Sequence, residues 1–145
     1  MARESSLWQR CKTGMTALKE RGHRLHIGRI ENTAGEGNPD VNGCIDGRLF
    51  DIELKSVKRP AKPSTKLRPK LRDSQQRWHR DRTEAGCRRH WVLIQVGHGH
   101  TARLYLVSGD LYGELIAPEA ELELISSVSP SASVADVLVR ASHDW

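Results

Sequence analysis

The dipeptide Asp46-Gly47 stands between two stretches of strand-like sequence, Val41 to Ile45 and Arg48 to Lys55. Asp-Gly suits a two-residue type I′ turn, whose central residues both need positive φ. A two-residue turn leaves the pairing no freedom. Ile45 faces Arg48, and counting outward from the turn puts Asp40 opposite Glu53. Side-chain alternation then sends Phe50, Ile52 and Leu54 into a core and places Asp51, Glu53 and Lys55 together on the other face. Directly opposed Cβ atoms lie about 4.5–5.5 Å apart, a separation at which two like charges destabilise a sheet. Lys55 offsets the repulsion in part. A divalent cation held between both carboxylates offsets it better.

The rest of the chain arranges itself around this hairpin. Residues 4–21 read as an amphipathic helix, with Leu7, Cys11, Met15 and Leu18 at helical spacing, Trp8 widening the stripe and Gly22 as its stop. Arg24 to Glu31 reads as a strand, and Asn32 to Pro39 as a loop. Lys58 to Lys70 carries Pro60, Pro63 and Pro69 among its lysines, so an extended basic loop is expected. Asp73 or Ser74 is placed to cap a helix running to about Ala85, closed by Gly86. Trp91 to Val96 is a nearly continuous apolar run, as in a strand buried on both faces. Thr101 to Val107 follows as its antiparallel neighbour through His98-Gly99-His100, and a short helix is expected near Ser133 to Ala141. This order predicts an α/β fold, a mixed β-sheet flanked by helices, with a parallel crossover from the 48–55 strand through the 74–85 helix to the 91–96 strand. The 145 residues suit one domain, with a motif-bearing core over about 4–107 and an acidic C-terminal extension, 108–145.

Charge is unevenly spread. Ser56 to His90 holds twelve Lys/Arg against three Asp/Glu, whereas Ser108 to Trp145 holds one against seven. A basic block beside an acidic remainder is the footprint of polyanion binding. Three cysteines, Cys11, Cys44 and Cys87, make an odd number without C-x-x-C spacing, which excludes a disulfide framework and argues against structural zinc. The N-terminus lacks the apolar stretch of a secretory signal and no apolar run approaches membrane-spanning length, so a cytoplasmic home without membrane partners is expected.

Pro39-Asp40 followed by Glu53-Leu54-Lys55 resembles the PD-(D/E)XK nuclease motif. With Gly37-Asn38 ahead of it, and Leu71 to Trp78 and Gly86 behind, it looks like the virus-type replication-repair nuclease (VRR-NUC) branch, in its small stand-alone phage or bacterial form; the similarity covers roughly residues 4–96. The resemblance implies a restriction-endonuclease-like core and a metal-dependent DNA endonuclease selective for branched, flap or junction DNA. It implies that Asp40 and Glu53 bind Mg²⁺ or Mn²⁺ together with the backbone carbonyl of Leu54. Lys55 would orient or activate the attacking water and stabilise charge on the phosphorane. Gln75, three residues before Trp78, matches the family's helix glutamine better than Gln76 does. A further acid from the first helix is expected: Glu4 ranks first, since it heads the Leu7–Trp8–Cys11 face, and Glu31 is its rival.

Sequence-independent phosphate contacts are expected from Lys58, Arg59, Lys62, Lys66, Arg68, Lys70 and Arg72. A nucleic-acid-binding module with an inactive site is the alternative, and a basic protein-interaction domain a third. Trp78 is expected in the core, His79 and His90 on a solvated helix face, Glu119 to Glu123 in solvent, and Cys44 and Cys87 as small apolar packers. A two-fold homodimer is a further expectation, because Leu111, Leu115, Ile116, Val134, Val137 and Leu138 offer apolar surface beyond the motif-bearing core.

Overall fold

Asp46 and Gly47 both take positive φ, 50° and 85°, as a type I′ turn requires. In this computed structural model, which describes residues 3–30 and 37–145 and the side chains of 6–30 and 37–145, the turn joins β2 (Val41–Ile45) to β3 (Arg48–Val57). The register is the expected one, from Ile45 opposite Arg48 to Val41 opposite Ile52. β1 (Leu25–Arg29) pairs antiparallel with β2. β4 (His90–Val96) runs parallel to β3, and β5 (Arg103–Ser108) runs antiparallel to β4. The sheet is mixed and five-stranded, in the order β1-β2-β3-β4-β5. The parallel step from β3 to β4 passes through α2 (Asp73–Glu84).

One face of the sheet is closed by α1 (Arg3–Glu20) and α4 (Val134–Ala141). Leu7, Cys11 and Leu18 of α1 meet Phe50, Ile52 and Leu54 of β3 and Val137, Leu138 and Ala141 of α4 in one buried cluster. α1 carries Gly14 where it crosses α4, and a Cβ there would come 3.0 Å from the Ala135 nitrogen. The opposite face is covered by α2, by the segment 58–72, by a 3-10 turn (Gly109–Glu114) and by α3 (Glu119–Ile125). Leu67, Leu71, Val92, Ile94, Val96, Tyr105, Leu115 and Leu122 form the buried cluster on that side. β4 is buried along its whole length, as expected of a strand covered on both faces.

The C-terminal third therefore completes the core. Val134, Val137, Leu138 and Leu115, offered by the sequence as a dimer surface, are buried within the chain, Leu111 is half-buried, and only Ile116 of that set is exposed. Glu119, expected in solvent, instead joins the Arg59 guanidinium in a two-pronged pair, both contacts 3.0 Å, while Tyr105 Oη donates to its carboxylate at 2.5 Å. Among the described residues, no helix is long and apolar enough to cross a membrane.

His79 and His90 correct the sequence reading outright, since each is only 1% exposed. Their rings stack, with the two Nδ1 atoms 2.9 Å apart, and His90 Nε2 lies 3.1 Å from the Thr83 hydroxyl. One Nδ1 must carry a proton and the other must accept it, so the pair is neutral as folded. Burial pulls His79 down to about 3 and His90 down to about 4. Trp78, expected in the core, is half-buried, edge-on to both rings, with the Arg82 guanidinium 4.6 Å above its own ring centre. Because both folded pKa values lie below the unfolded value of 6.5, the unfolded chain takes up protons first as pH falls. Stability should thus be lost from about pH 6.5 downward, at on the order of 1 kcal/mol per pH unit for each histidine. Thermal midpoints recorded across pH 4–7 check this. A His79→Leu/His90→Leu variant should flatten the acid limb, and an unchanged slope in that variant would be evidence against the histidines as its source.

Candidate functional site

The site lies where β2 has ended and β3 continues. Asp40 immediately precedes β2; its backbone carbonyl accepts from Ile30 N–H at 2.7 Å, while its side chain turns along β3 and accepts the Leu54 N–H at 2.9 Å. That bond brings the Asp40 carboxylate against Glu53, as the hairpin register requires. Leu54 itself is anchored in the core, so the peptide next to both carboxylates is fixed.

Gly37 sets the entry to this corner. Its φ of +87° and its contact with the Ser74 backbone at the start of α2 leave no room for a Cβ. Gly37 is thus laid directly on the helix that carries Gln75.

Gln75 is buried, 4% exposed, and binds three partners. Its Nε2 donates to Glu53 Oε2 at 2.9 Å, and its Oε1 accepts from Lys55 Nζ at 3.3 Å and from Arg72 N–H at 2.9 Å. The last bond caps α2 with Arg72 at the N-cap, one residue before Asp73 and two before Ser74, and acidic Asp73 falls in the first turn. Gln76 points elsewhere, donating to the Leu71 carbonyl at 2.9 Å. The doubled glutamine is thereby divided: one side chain faces the carboxylates and the other faces the segment 58–72.

Glu53 carries the main electrostatic feature. Its side chain is only 2% exposed, Lys55 Nζ lies 3.8 Å from Oε2, and no N–H or hydroxyl donor reaches Oε1. Burial first, then a side-chain hydrogen bond shared with Asp40 and the charge of its carboxylate, push Glu53 up to about 9, against the opposing pull of Lys55 and Arg72. A buried acceptor with no donor is costly in a folded protein. A cation beside Asp40 and Glu53 would satisfy that oxygen and remove the repulsion together, so the residues present fit a divalent metal. Among the described residues, no three His, Cys, Asp or Glu side chains are grouped for a metal; the pair supplies two, and the Leu54 peptide lies beside it. Glu31 and the Glu4 side chain, from which a third acid is expected, lie outside the described residues.

The segment 58–72 begins three residues after Lys55 and ends three residues before Gln75, and its Arg72 end bonds to Gln75 at the site. It is held down along its length. Arg59 is committed to Glu119 and donates as well to the Thr101 and Val96 carbonyls at 3.0 and 3.3 Å. Leu67 is buried and its N–H donates to the Ala117 carbonyl at 2.8 Å, while Pro69 and Leu71 are buried too. Lys58, Lys62, Lys66, Arg68, Lys70 and Arg72 remain exposed on this pinned strap. Arg59 is a structural member of the set expected to contact phosphates. No local pattern marks it as such, because its partner lies 60 residues away.

Neither a protein-family model nor any curated protein matches this chain. The geometry of the corner therefore carries the functional reading.

Glu53→Gln offers a direct measure of the stored repulsion. A glutamine there can still accept from Gln75 Nε2, and its own amide can donate to Asp40. Since the folded pKa is raised above the ordinary 4.5, the wild type loses stability as pH rises from about 4.5 to about 9. The variant should therefore unfold at a higher temperature than wild type at pH 8, by on the order of 1 kcal/mol. The two proteins should converge near pH 4. A lower midpoint for Glu53→Gln at pH 8 would contradict the assignment.

Proposed function

We propose that this chain is a metal-dependent deoxyribonuclease of the VRR-NUC branch of the PD-(D/E)XK enzymes, hydrolysing phosphodiester bonds and selective for branched, flap or junction DNA. The observation that carries the reading is the buried Glu53 carboxyl crowded against Asp40, with no N–H or hydroxyl donor to its Oε1, framed by Gln75 and Lys55 at the Arg72 end of a basic strap. A structural ion-pair ladder would not need to bury a carboxyl oxygen without such a donor.

Asp40, Glu53 and the Leu54 carbonyl would hold Mg²⁺ or Mn²⁺, completed by Glu4 or Glu31. When bound, such a cation supplies Lewis-acid stabilisation of the charge that develops on the scissile phosphate. The protein's own groups do the rest. Lys55 Nζ, held by Gln75 Oε1 and near Glu53 Oε2, sits where it can orient the attacking water and stabilise the added negative charge. Gln75 fixes Glu53 and Lys55 relative to each other, and through Arg72 it ties both to the strap. The exposed cations of the strap hold the phosphate backbone without reading sequence.

The second reading is a nucleic-acid-binding module without activity, favoured by there being only two carboxylates together among the described residues. Both readings expect salt-sensitive DNA binding, but only the first yields product with Mg²⁺ or Mn²⁺.

Asp40→Asn, Glu53→Gln and Lys55→Ala should each lower cleavage of branched DNA by at least about a hundredfold, a loss typical of removing one charge-stabilising group. Full cleavage by both carboxylate variants, assayed on labelled DNA with Mg²⁺ or Mn²⁺, would remove the basis of the proposal. On the strap, each of Lys62→Ala, Lys66→Ala and Arg68→Ala should lower the slope of log affinity against log salt by about 0.9 for duplex DNA while thermal stability holds. Arg59→Ala should behave the opposite way, lowering stability because it leaves Glu119 without its guanidinium. Equal salt slopes in wild type and in the triple Lys62, Lys66, Arg68 variant would exclude the strap from the interface.

A further inference from the structure

Beside the strap lies a cleft of about 470 Å³ that the proposed hydrolysis does not use. It runs between Arg68 to Leu71 of the strap, Gln76 of α2 and the stretch from Tyr112 to Ile116. Its wall is apolar and aromatic: Leu71 and Leu115 are buried, Tyr112 is half-buried, and Ile116 is 54% exposed. Ile116 is one of three large hydrophobic side chains left exposed among the described residues. Tyr112 also lines a neighbouring hollow of about 390 Å³.

The rest of the lining is cationic or hydrogen-bonding. Arg68 and Lys70 are exposed at the cleft. Gln76 is held along it by the bond from Nε2 to the Leu71 carbonyl, which leaves its own carbonyl oxygen to accept. An apolar peptide would gain little from two cations and a fixed amide. A nucleotide would use all three, because its base has an apolar face and hydrogen-bonding edges and its phosphate is an anion. A base inside a duplex is stacked on both faces and can enter such a cleft only by leaving the stack.

We infer that this cleft takes one unstacked nucleotide of a strand whose backbone lies on the strap, so that DNA with an unpaired segment, rather than plain duplex, is the substrate class. The inference rests on reading the strap as a nucleic-acid surface. The cleft reaches the carboxylate pair over a short path, since Leu71 and Gln76 lie next in sequence to Arg72 and Gln75, which bond to each other at the site. An unpaired nucleotide seated there brings the adjoining phosphates to Glu53 and Lys55. The junction between paired and unpaired DNA is then presented to the site.

The test uses the full chain in EDTA, so that cleavage plays no part, with two fluorescein-labelled probes measured by anisotropy. One is a blunt duplex and the other is the same duplex with a single-stranded overhang. Wild type should bind the overhang probe about tenfold more tightly, the scale of one base stacked on an aromatic ring. Tyr112→Ala should abolish most of that difference and Tyr112→Phe should keep it. Ile116→Ser, at an exposed position, should reduce the difference without threatening the fold, and it decides the matter if Tyr112→Ala is unfolded. Equal affinity of wild type for both probes, or a difference untouched by Tyr112→Ala and Ile116→Ser, overturns the cleft assignment alone. Failure to bind either probe overturns the strap reading with it, whereas tight binding without later cleavage in Mg²⁺ defeats only the hydrolytic proposal.

Discussion

Two carboxylates, Asp40 and Glu53, are held side by side with one oxygen buried and reached by no N–H or hydroxyl donor, and the apolar core is what holds them there. The repulsion could be relieved by sliding β3 one residue past β2. That slip would turn Phe50, Ile52 and Leu54 out of the core, where each is at most 1% exposed. Exposing three such side chains costs roughly 2 kcal/mol apiece. A like-charge contact across a hairpin is weaker than that sum. The register is therefore fixed by burial on one face, and the electrostatic penalty on the other follows from it. The same logic extends to Gly37, which lies against the Ser74 backbone, and to Gln75, which ties α2 to Glu53.

The strap shows how a proline-rich basic stretch becomes a surface of fixed shape. Its cations would be weakly placed on a free loop. Arg59, Leu67 and Leu71 tie it to the second core at intervals, so that exposed and buried residues alternate along it. The guanidinium of Arg59 spends all its strength on Glu119 and two carbonyls, and this is why the neighbouring lysines stand free at defined positions. Structural and exposed cations thus sit side by side in one sequence run that composition alone cannot divide.

What could be read from the sequence was whatever depends on local geometry. The hairpin, its register, the opposition of Asp40 to Glu53 and the crossover from β3 to β4 all follow from turn chemistry and periods of two or 3.6 residues, whereas Gln75 is set before Gln76 only by the family resemblance. What could not be read depends on contacts far apart in the chain. His79 meets His90 because a parallel crossover returns β4 beneath α2, and no spacing rule marks two histidines 11 residues apart as a buried pair. α4 looked detachable because its apolar face, Val134, Val137, Leu138 and Ala141, is equally suited to a partner and to the chain's own sheet. Gly14 decided between them by letting α1 come close to it, a signal visible only once both helices are placed.

This division of labour also separates stability from the site. The α1–α4 face carries Leu7, Leu18, Phe50, Ile52, Trp91 and Leu138 with no ionisable group among its buried members apart from the Cys11 thiol, which burial keeps protonated. The opposite face holds the buried Glu53, Gln75, His79 and His90, each of which costs desolvation and two of which oppose protonation. β3 and β4 lie between the two and belong to both. An apolar layer on one side of a sheet can thus support a polar, strained layer on the other, because the strands cannot yield to the second without surrendering the first. A charged corner of this kind is tolerable only on a sheet whose other side is closed, and in this chain α1 and the C-terminal α4 close it together.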